Sequence, residues 1–431
     1  PWSPNRPDKT TFVRLTAPPL ARDTHTSLLK AKCELMPKSM TLPVARAGRW
    51  ILALVLLSLS VLPGLAQDQG YTSKAPRAIL MDAGTGALLF QQNADDLAPP
   101  ASMSKLMTLA VLFKAIKEGK VSTSDEYTMS VNAWRKGGAP SRTSAMMVPV
   151  NTTVTVGELI KGIAVQSGND ACIAVAEAMA GSEPAFAKMM TQEARRIGLT
   201  KSTFANATGL PNENHLMTAR ELALLALFLI REYPDQYAVF SQKEFAYRKH
   251  KFFNRNPLLF LDIGADGLKT GHTQDAGYGL VGSAVRDGKR LIVVVSGLPT
   301  ADARKAEAAK LLEWGFNSFS KVSIFDDGEV VGRARVWGGR QMYVALASKG
   351  PATIDLPKYP ANQRLSAEIV YRAPLKPPVR KGDQVATLRI SSTSSAQVEI
   401  PLYAQEDVEA SGLTWRGIDT LVIMALRRLT L

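Results

Sequence analysis

Residues 291–295 read LIVVV, and this run of branched apolar side chains most restricts what the chain can fold into. Successive side chains of a strand point to opposite faces, so an unbroken apolar run needs cover on both sides. It predicts a central strand inside a layered domain. The flanking segments supply the sheet. Residues 277–285 and 290–296 read as a hairpin turning at Arg286-Asp287-Gly288-Lys289, and residues 77–81 and 87–90 as another turning at Asp82-Ala83-Gly84-Thr85-Gly86. Between them lies a helix-rich stretch from 102 to about 233, where residues 156–179 and 218–229 carry a buried-helix pattern. A helix over 301–319 follows and is expected to pack on the sheet. The expected fold class is α+β, an antiparallel sheet built from both ends of residues 71–320 and flanked by helices, with a helical insertion.

At about Lys321 the texture changes. Short β-favouring runs at 330–336, 342–347, 365–371, 385–390 and 396–402 alternate with Gly and Pro, which predicts a small all-β domain over 321–405. Residues 406–431 read as an acidic linker and an amphipathic helix. Trp415, Ile418, Leu421, Val422, Ala425, Leu426 and Leu429 share its apolar face, with Arg416, Thr420 and Arg427 opposite. A basic amphipathic helix with a Trp at its boundary suits a membrane surface, and docking on the chain's own β domain is the alternative.

The other end reads as an export signal. Residues 50–62 are uncharged and apolar, follow Arg46 and Arg49, and precede Pro63-Gly64-Leu65-Ala66, a small-residue cleavage pattern. About 13 residues suit a signal-peptide core and are too few to span a bilayer. A signal peptide over 40–66 is expected, beginning at Met40, with residues 1–39 a non-native upstream extension. Removing the nine basic and three acidic residues before the cut lowers the net charge from +14 to +8. No basic tract with interleaved aromatics and no zinc-finger spacing accompanies that charge, which disfavours nucleic acid as a partner. Of the two cysteines only Cys172 survives processing, so no internal disulfide is expected, and its apolar setting reads as a buried thiol. His215, His250 and His272 share no metal-ligand spacing, so neither metal nor cofactor is expected.

Three short motifs carry the chemistry. Ser102-Met103-Ser104-Lys105 follows Pro99-Pro100-Ala101, a helix-start pattern, and a Ser and Lys three apart lie one turn apart on one face. The helix dipole favours negative charge on the serine oxygen, and a buried lysine beside another cation becomes a neutral base. Alone the pattern is weak, since average residue usage gives about one or two S-x-x-K matches per chain of this size. Ser318-Phe319-Ser320-Lys321 is such a decoy, at a helix end. Ser167-Gly168-Asn169 sits between two apolar helical runs and offers a hydroxyl and a carboxamide from a bend. Lys269-Thr270-Gly271 precedes the strand at Gly277, where lysine and threonine can receive a carboxylate and glycine lets a ligand approach the backbone.

In this order and context, the three motifs resemble those of penicillin-binding proteins and serine β-lactamases. Gln166-Ser167-Gly168-Asn169-Asp170-Ala171-Cys172, Asn254-Arg255-Asn256, Asp266-Gly267-Leu268-Lys269-Thr270-Gly271-His272-Thr273 and Leu311-Leu312-Glu313-Trp314-Gly315-Phe316 resemble the low-molecular-mass D-alanyl-D-alanine carboxypeptidases in particular. The resemblance implies a β-lactamase/transpeptidase-like domain that removes the terminal D-alanine of peptidoglycan stem pentapeptides through an acyl-enzyme on Ser102. It implies Lys105 as base, Ser167 as proton relay, Asn169 as holder of the substrate backbone, Lys269 as local positive charge, and Thr270 with Gly271 as the carboxylate-binding edge. Backbone N–H groups of Ser102 and His272 would form the oxyanion hole. Arg304 looks like the family's arginine near the substrate carboxylate, and Arg255 like a second arginine facing the cleft, each with a structural ion pair as the alternative. Arg290 reads as structural, and His215 as a scaffold residue bonding a loop carbonyl.

The implied partners are stem peptides ending in D-Ala-D-Ala, β-lactams as covalent inhibitors, and the periplasmic face of the inner membrane. Three rivals stay open. A class A-like β-lactamase normally carries Ser-Asp-Asn where this chain has Ser167-Gly168-Asn169, and no E-x-x-L-N segment is present. A D,D-endopeptidase and a non-catalytic penicillin-binding scaffold are the others.

Overall fold

The computed structural model describes residues 15–16, 71–358, 365–392 and 397–429. The expected signal peptide at 40–66 lies outside the described residues, as does all of 1–39 except Leu15–Thr16.

The central sheet has five antiparallel strands: β1 (Arg77–Asp82), β2 (Leu88–Gln92), β3 (Ala265–Thr273), β4 (Gly277–Arg286) and β5 (Lys289–Leu298). Their order is β2-β1-β5-β4-β3, so the LIVVV run occupies the middle strand. All five of its side chains are fully buried, alternating between two clusters of the core. Burying a side chain of this kind stabilises by about 1.5–3 kcal/mol, which makes β5 the axis of the domain.

One face of the sheet carries the helical insertion, principally α1 (Lys105–Lys117), α2 (Asn169–Ala180), α3 (Glu183–Arg196) and α4 (Ala219–Glu232). The other is covered by α5 (Ala301–Ser318), which rests on β5 and β4. Thr218 and Thr300 cap α4 and α5, each accepting from the backbone N–H three residues on.

After α5 the chain passes directly into a strand, Phe319–Phe325, which pairs with Ala352–Pro357. Neither strand was expected. The five expected runs of the β region appear as Val330–Arg335, Tyr343–Ala347, Leu365–Val370, Gln384–Ser392 and Gln397–Ala404 in one sheet, with Leu15–Thr16 at its edge. Asp355, fully buried, joins the two parts by pairing with Lys289 of β5 at 2.8 Å.

The terminal helix, α6 (Leu413–Leu429), docks on the β region through its polar side. Asp419 pairs with Arg335 and accepts the Gly338 N–H at 2.7 Å, while the Trp337 indole donates to Thr420 Oγ1 at 3.0 Å. Trp415, Ile418 and Leu421 face outward, Leu421 with 68% of its surface exposed. Docking and an outward apolar face therefore coexist, whereas the sequence offered them as alternatives. Among the described residues no helix is long and apolar enough to cross a membrane.

Candidate active site

Pro100 begins a 3-10 turn, Ala101–Ser104, that leads into α1. The three-residue offset brings Lys105 Nζ to 2.8 Å from Ser102 Oγ, and the same amine donates to the Thr208 carbonyl at 2.5 Å. Lys105 is 0% exposed. Among the described residues no carboxylate pairs with it. Burial pushes its pKa down to about 8, and the positive charge of Arg255 pushes the same way.

Lys269, in the middle of β3, is 1% exposed and donates to the Thr270 carbonyl at 3.2 Å. Its pKa falls well below the ordinary lysine value, first through burial and then through the charges of Lys105 and Arg255. Two amines thus share one desolvated space, so the site's proton affinity belongs to the pair.

The second motif forms the expected bend. A π-helical turn, Gly162–Gln166, ends at Ser167 in the left-handed region (φ 64°), and α2 starts at Asn169. Ser167 Oγ and Asn169 Oδ1 are buried without a hydrogen-bond partner among the described residues, while Asn169 Nδ2 donates to Thr143 Oγ1 at 2.9 Å. Buried polar atoms are nearly always paired, and these two are exceptions. Gly168 is fixed by close approach. A Cβ there would lie 2.9 Å from Asp170 Oδ1 and 3.1 Å from the Met146 nitrogen, which accounts for glycine where β-lactamases carry aspartate.

Gly271 performs the same service for the third motif. A Cβ on it would stand 2.8 Å from the Pro100 carbonyl oxygen and 3.1 Å from Met103 Cγ. Its absence lets β3 lie against the turn that carries Ser102. Thr270 is buried beside it, whereas the His272 ring is exposed and stacked on Tyr278 at 3.8 Å.

Ser102, Asn169, Arg255 and His272 border one cleft of about 480 Å³. A larger cavity of about 590 Å³, lined by Lys114, Glu118 and Arg196, contains none of the motif residues, so chemistry and not size locates the site. Arg255 reaches across the cleft to donate to Ser144 Oγ at 2.6 Å. Arg304 is not among the residues that line this cleft; its guanidinium lies 5.6 Å from the Tyr278 ring centroid and its Nε is unpartnered among the described residues.

Other expectations resolve as follows. Arg290 pairs with Asp266 at 2.7 Å and donates to Ser283, a structural role. Cys172 is buried and its thiol pKa is pushed up to about 12 by burial, far from nucleophilic. His215 needs correction: among the described residues it bonds no carbonyl, and its Nδ1 accepts the Ala205 N–H at 3.3 Å. In the decoy, Lys321 belongs to strand Phe319–Phe325, so Ser318 and Lys321 do not share a helical turn.

Sequence reasoning missed the opposite wall. Arg142, Thr143 and Ser144 line the cleft, and Thr208 supplies the carbonyl that holds Lys105. The available signal was Asp170, one residue past the second motif, whose buried carboxylate accepts from the Met146 N–H at 2.8 Å and so fixes that wall.

Comparison with known proteins agrees with this chemistry. The family described as D-alanyl-D-alanine carboxypeptidase matches residues 65–300, and the penicillin-binding protein 5 C-terminal domain matches residues 319–410. The D-alanyl-D-alanine carboxypeptidase DacC of Escherichia coli (strain K12) is 36% identical over 347 residues, 80% of this chain and 87% of the relative. The crystal structure of penicillin binding protein 5 from Haemophilus influenzae superposes with a TM-score of 0.70 at 34% identity, over 79% of this chain and 98% of that one. Penicillin binding protein 6B from Escherichia coli gives 0.60 at 31% identity, over 77% and 96%. With Ser102 and Lys105 in contact beside a cleft that is also lined by Asn169 of the second motif and by His272, next to the third, and with matches that run through both domains, the chain belongs to the serine-type D-alanyl-D-alanine carboxypeptidase family of penicillin-binding proteins.

Proposed function

We propose that Ser102 is the nucleophile that releases the terminal D-alanine from peptidoglycan stem pentapeptides. The contact that carries this reading is the 2.8 Å bond between Ser102 Oγ and the buried Lys105 amine. A neutral Lys105 accepts the hydroxyl proton as Oγ attacks the carbonyl between the two D-alanines. The backbone N–H groups of Ser102 and His272 stabilise the oxyanion. As the peptide C–N bond breaks, the proton passes through Ser167 to the departing amine, and D-alanine leaves. Water then attacks the ester and returns the hydrogen to Ser102. Asn169 holds the peptide backbone through its unpaired Oδ1, and Lys269, Thr270 and Gly271 receive the terminal carboxylate. Arg255 adds positive charge at the cleft mouth, and Arg304 lies near the substrate carboxylate. β-Lactams enter the same path and stay as esters on Ser102.

The decisive measurement is D-alanine release from a pentapeptide, run alongside nitrocefin hydrolysis. Ser102→Ala and Lys105→Ala are expected to abolish release, whereas Ser318→Ala retains it. Rapid nitrocefin turnover with no D-alanine would instead identify a β-lactamase.

The protein acts outside the cytoplasm in this proposal, exported by residues 40–66 and held peripherally on the periplasmic face of the inner membrane by α6. Support comes from the outward apolar face of a helix whose polar side is already occupied. Deleting residues 409–431 is expected to shift the protein from the membrane to the soluble fraction. Continued sedimentation with membranes would reject the anchor.

A further inference from the structure

The turn that joins β1 to β2 meets strand Ala352–Pro357 of the β region, and two carboxylates are buried where they touch. Asp82 is 1% exposed and Asp355 is 0% exposed. One hydroxyl stands between them. Thr85 Oγ1 lies 2.9 Å from Asp82 Oδ1 and 3.3 Å from Asp355 Oδ2. Thr85 also donates its backbone N–H to Asp82 Oδ1 at 2.7 Å, and Lys289 donates to Asp355 Oδ1 at 2.8 Å. Asp82 Oδ2 has no partner among the described residues. Arg231 of α4 holds the turn by donating to the Ala83 and Gly84 carbonyls at 2.7 and 3.2 Å. Lys321 pairs in register with Asp355, and a Cβ on Gly84 would lie 3.6 Å from its amine. The charged groups around Asp355 are therefore Asp82, Lys289 and Lys321, with Arg231 on the backbone of the turn.

A hydroxyl has one hydrogen, and here two carboxylate oxygens compete for it. With both acids ionised the buried cluster is one donor short, a deficit that protein interiors rarely leave. A proton on Asp355 Oδ2 removes it. That oxygen then donates to Thr85 Oγ1, and Thr85 donates to Asp82 Oδ1. We infer that Asp355, Thr85 and Asp82 form a proton-operated latch between the domain that carries Ser102 and the β region, closed when Asp355 takes up a proton from solvent. Burial raises the Asp355 pKa, and the Asp82 charge adds to the rise against the pull of Lys289 and Lys321. The folded junction thus holds the proton more tightly than the unfolded chain does. Its contribution is full below the ordinary carboxylate value and is lost as pH rises through the raised one. A protein working outside the cytoplasm takes the pH of its surroundings, and in this one acid stiffens the joint between two domains. No group of the latch touches Ser102, so it stands or falls apart from the reaction.

Hydrogen exchange on the full chain, corrected for the intrinsic effect of pH, reads the latch through two amides: Thr85 N–H and Ala87 N–H, which donates to Thr85 Oγ1 at 3.2 Å. In the wild-type protein their protection should be about fivefold greater at about pH 4.5 than at about pH 8, the effect of completing one buried hydrogen bond. Asp355→Asn carries an amide that donates at every pH, so protection should stay high at both values. Thr85→Val keeps the volume and removes the relay, so protection should be low at both. Should the asparagine variant not fold, the valine variant decides alone, because Thr85 is only half-buried. Equal protection of the wild-type turn at the two pH values, or a pH response that survives in either variant, would overturn the latch. So would an asparagine variant protected as weakly as the valine one.

Discussion

Replacing Lys105 with methionine is expected to abolish acylation by benzylpenicillin and at the same time to raise the melting temperature. The amine is fully buried, among the described residues no carboxylate is paired to it, and burial moves its pKa from 10.5 to about 8. A depressed lysine pKa means that the fold disfavours the charged form. That cost is fully present below about pH 8, where the folded and unfolded chains both hold the proton, and it disappears as pH rises to the unfolded value. A shift of this size corresponds to about 3 kcal/mol at pH 7. Methionine fills similar volume without the charge. It strands the Thr208 carbonyl, which costs about 1 kcal/mol, leaving a net gain of about 2 kcal/mol and a rise of several degrees. Loss of the base should slow acylation about a thousandfold or more. Wild-type acylation should climb as pH passes through about 8, where the amine becomes a base, and the residual rate of the variant should lack that rise. A methionine variant less stable than wild type at pH 7 would show that the fold does not strain against this charge.

That trade between stability and reactivity also explains which features the sequence revealed. The LIVVV strand, both hairpins of the sheet and α5 follow from local periodicity, because a strand or helix that buries one face must repeat at 2 or 3.6 residues. The Ser102–Lys105 contact was legible for the same reason, since a helical turn fixes the distance between positions three apart. The pair Phe319–Phe325 and Ala352–Pro357 was not. No glycine or proline separates Ser318 of α5 from Phe319, so nothing marks the change of period. Ala352–Pro357 contains Asp355, which looks like a loop residue until Lys289 is brought beside it from another part of the chain. For α6 the sequence offered docking and an outward apolar face only as alternatives, because Asp419 meets Arg335 only after the β region has folded.

The cleft divides along the same line. Ser102, Lys105, Ser167, Asn169 and Lys269 stood in spaced motifs, whereas Arg142, Thr143, Ser144 and Thr208 sit in loops and have no period to betray them. His215 shows how little a lone residue reveals of its partner, since it takes a backbone N–H where a carbonyl was expected.

Asp170→Ala should be the most damaging substitution outside the reacting groups. The carboxylate accepts from the Met146 and Ala171 N–H groups at 2.8 and 2.9 Å and from the Val148 N–H at 3.4 Å. Next to it, the Asn169 N–H donates to the Ser144 carbonyl at 2.7 Å. One side chain thus ties the start of α2 to the loop that presents Thr143 and Ser144 to the cleft. Burial raises the Asp170 pKa even though those N–H groups oppose the shift, so its charge alone is not what stabilises the loop. The acceptor geometry is. Alanine would orphan two or three buried donors at about 1–3 kcal/mol each, partly offset by no longer burying a carboxylate, for a net loss of about 3 kcal/mol. With the loop released, Asn169 loses its Thr143 partner and Arg255 its Ser144 partner, and penicillin acylation should fall about tenfold to a hundredfold. Asp170→Asn separates charge from geometry. Its oxygen can serve Met146 and Ala171, but its amide would face the Val148 N–H donor to donor, so an intermediate loss of about 1 kcal/mol is expected. Denaturant midpoints and acylation rates for the two variants decide the matter. An alanine variant as stable as wild type would mean that the loop is held by something other than this carboxylate, and an asparagine variant as damaged as alanine would mean that charge, not acceptor placement, is what the site requires.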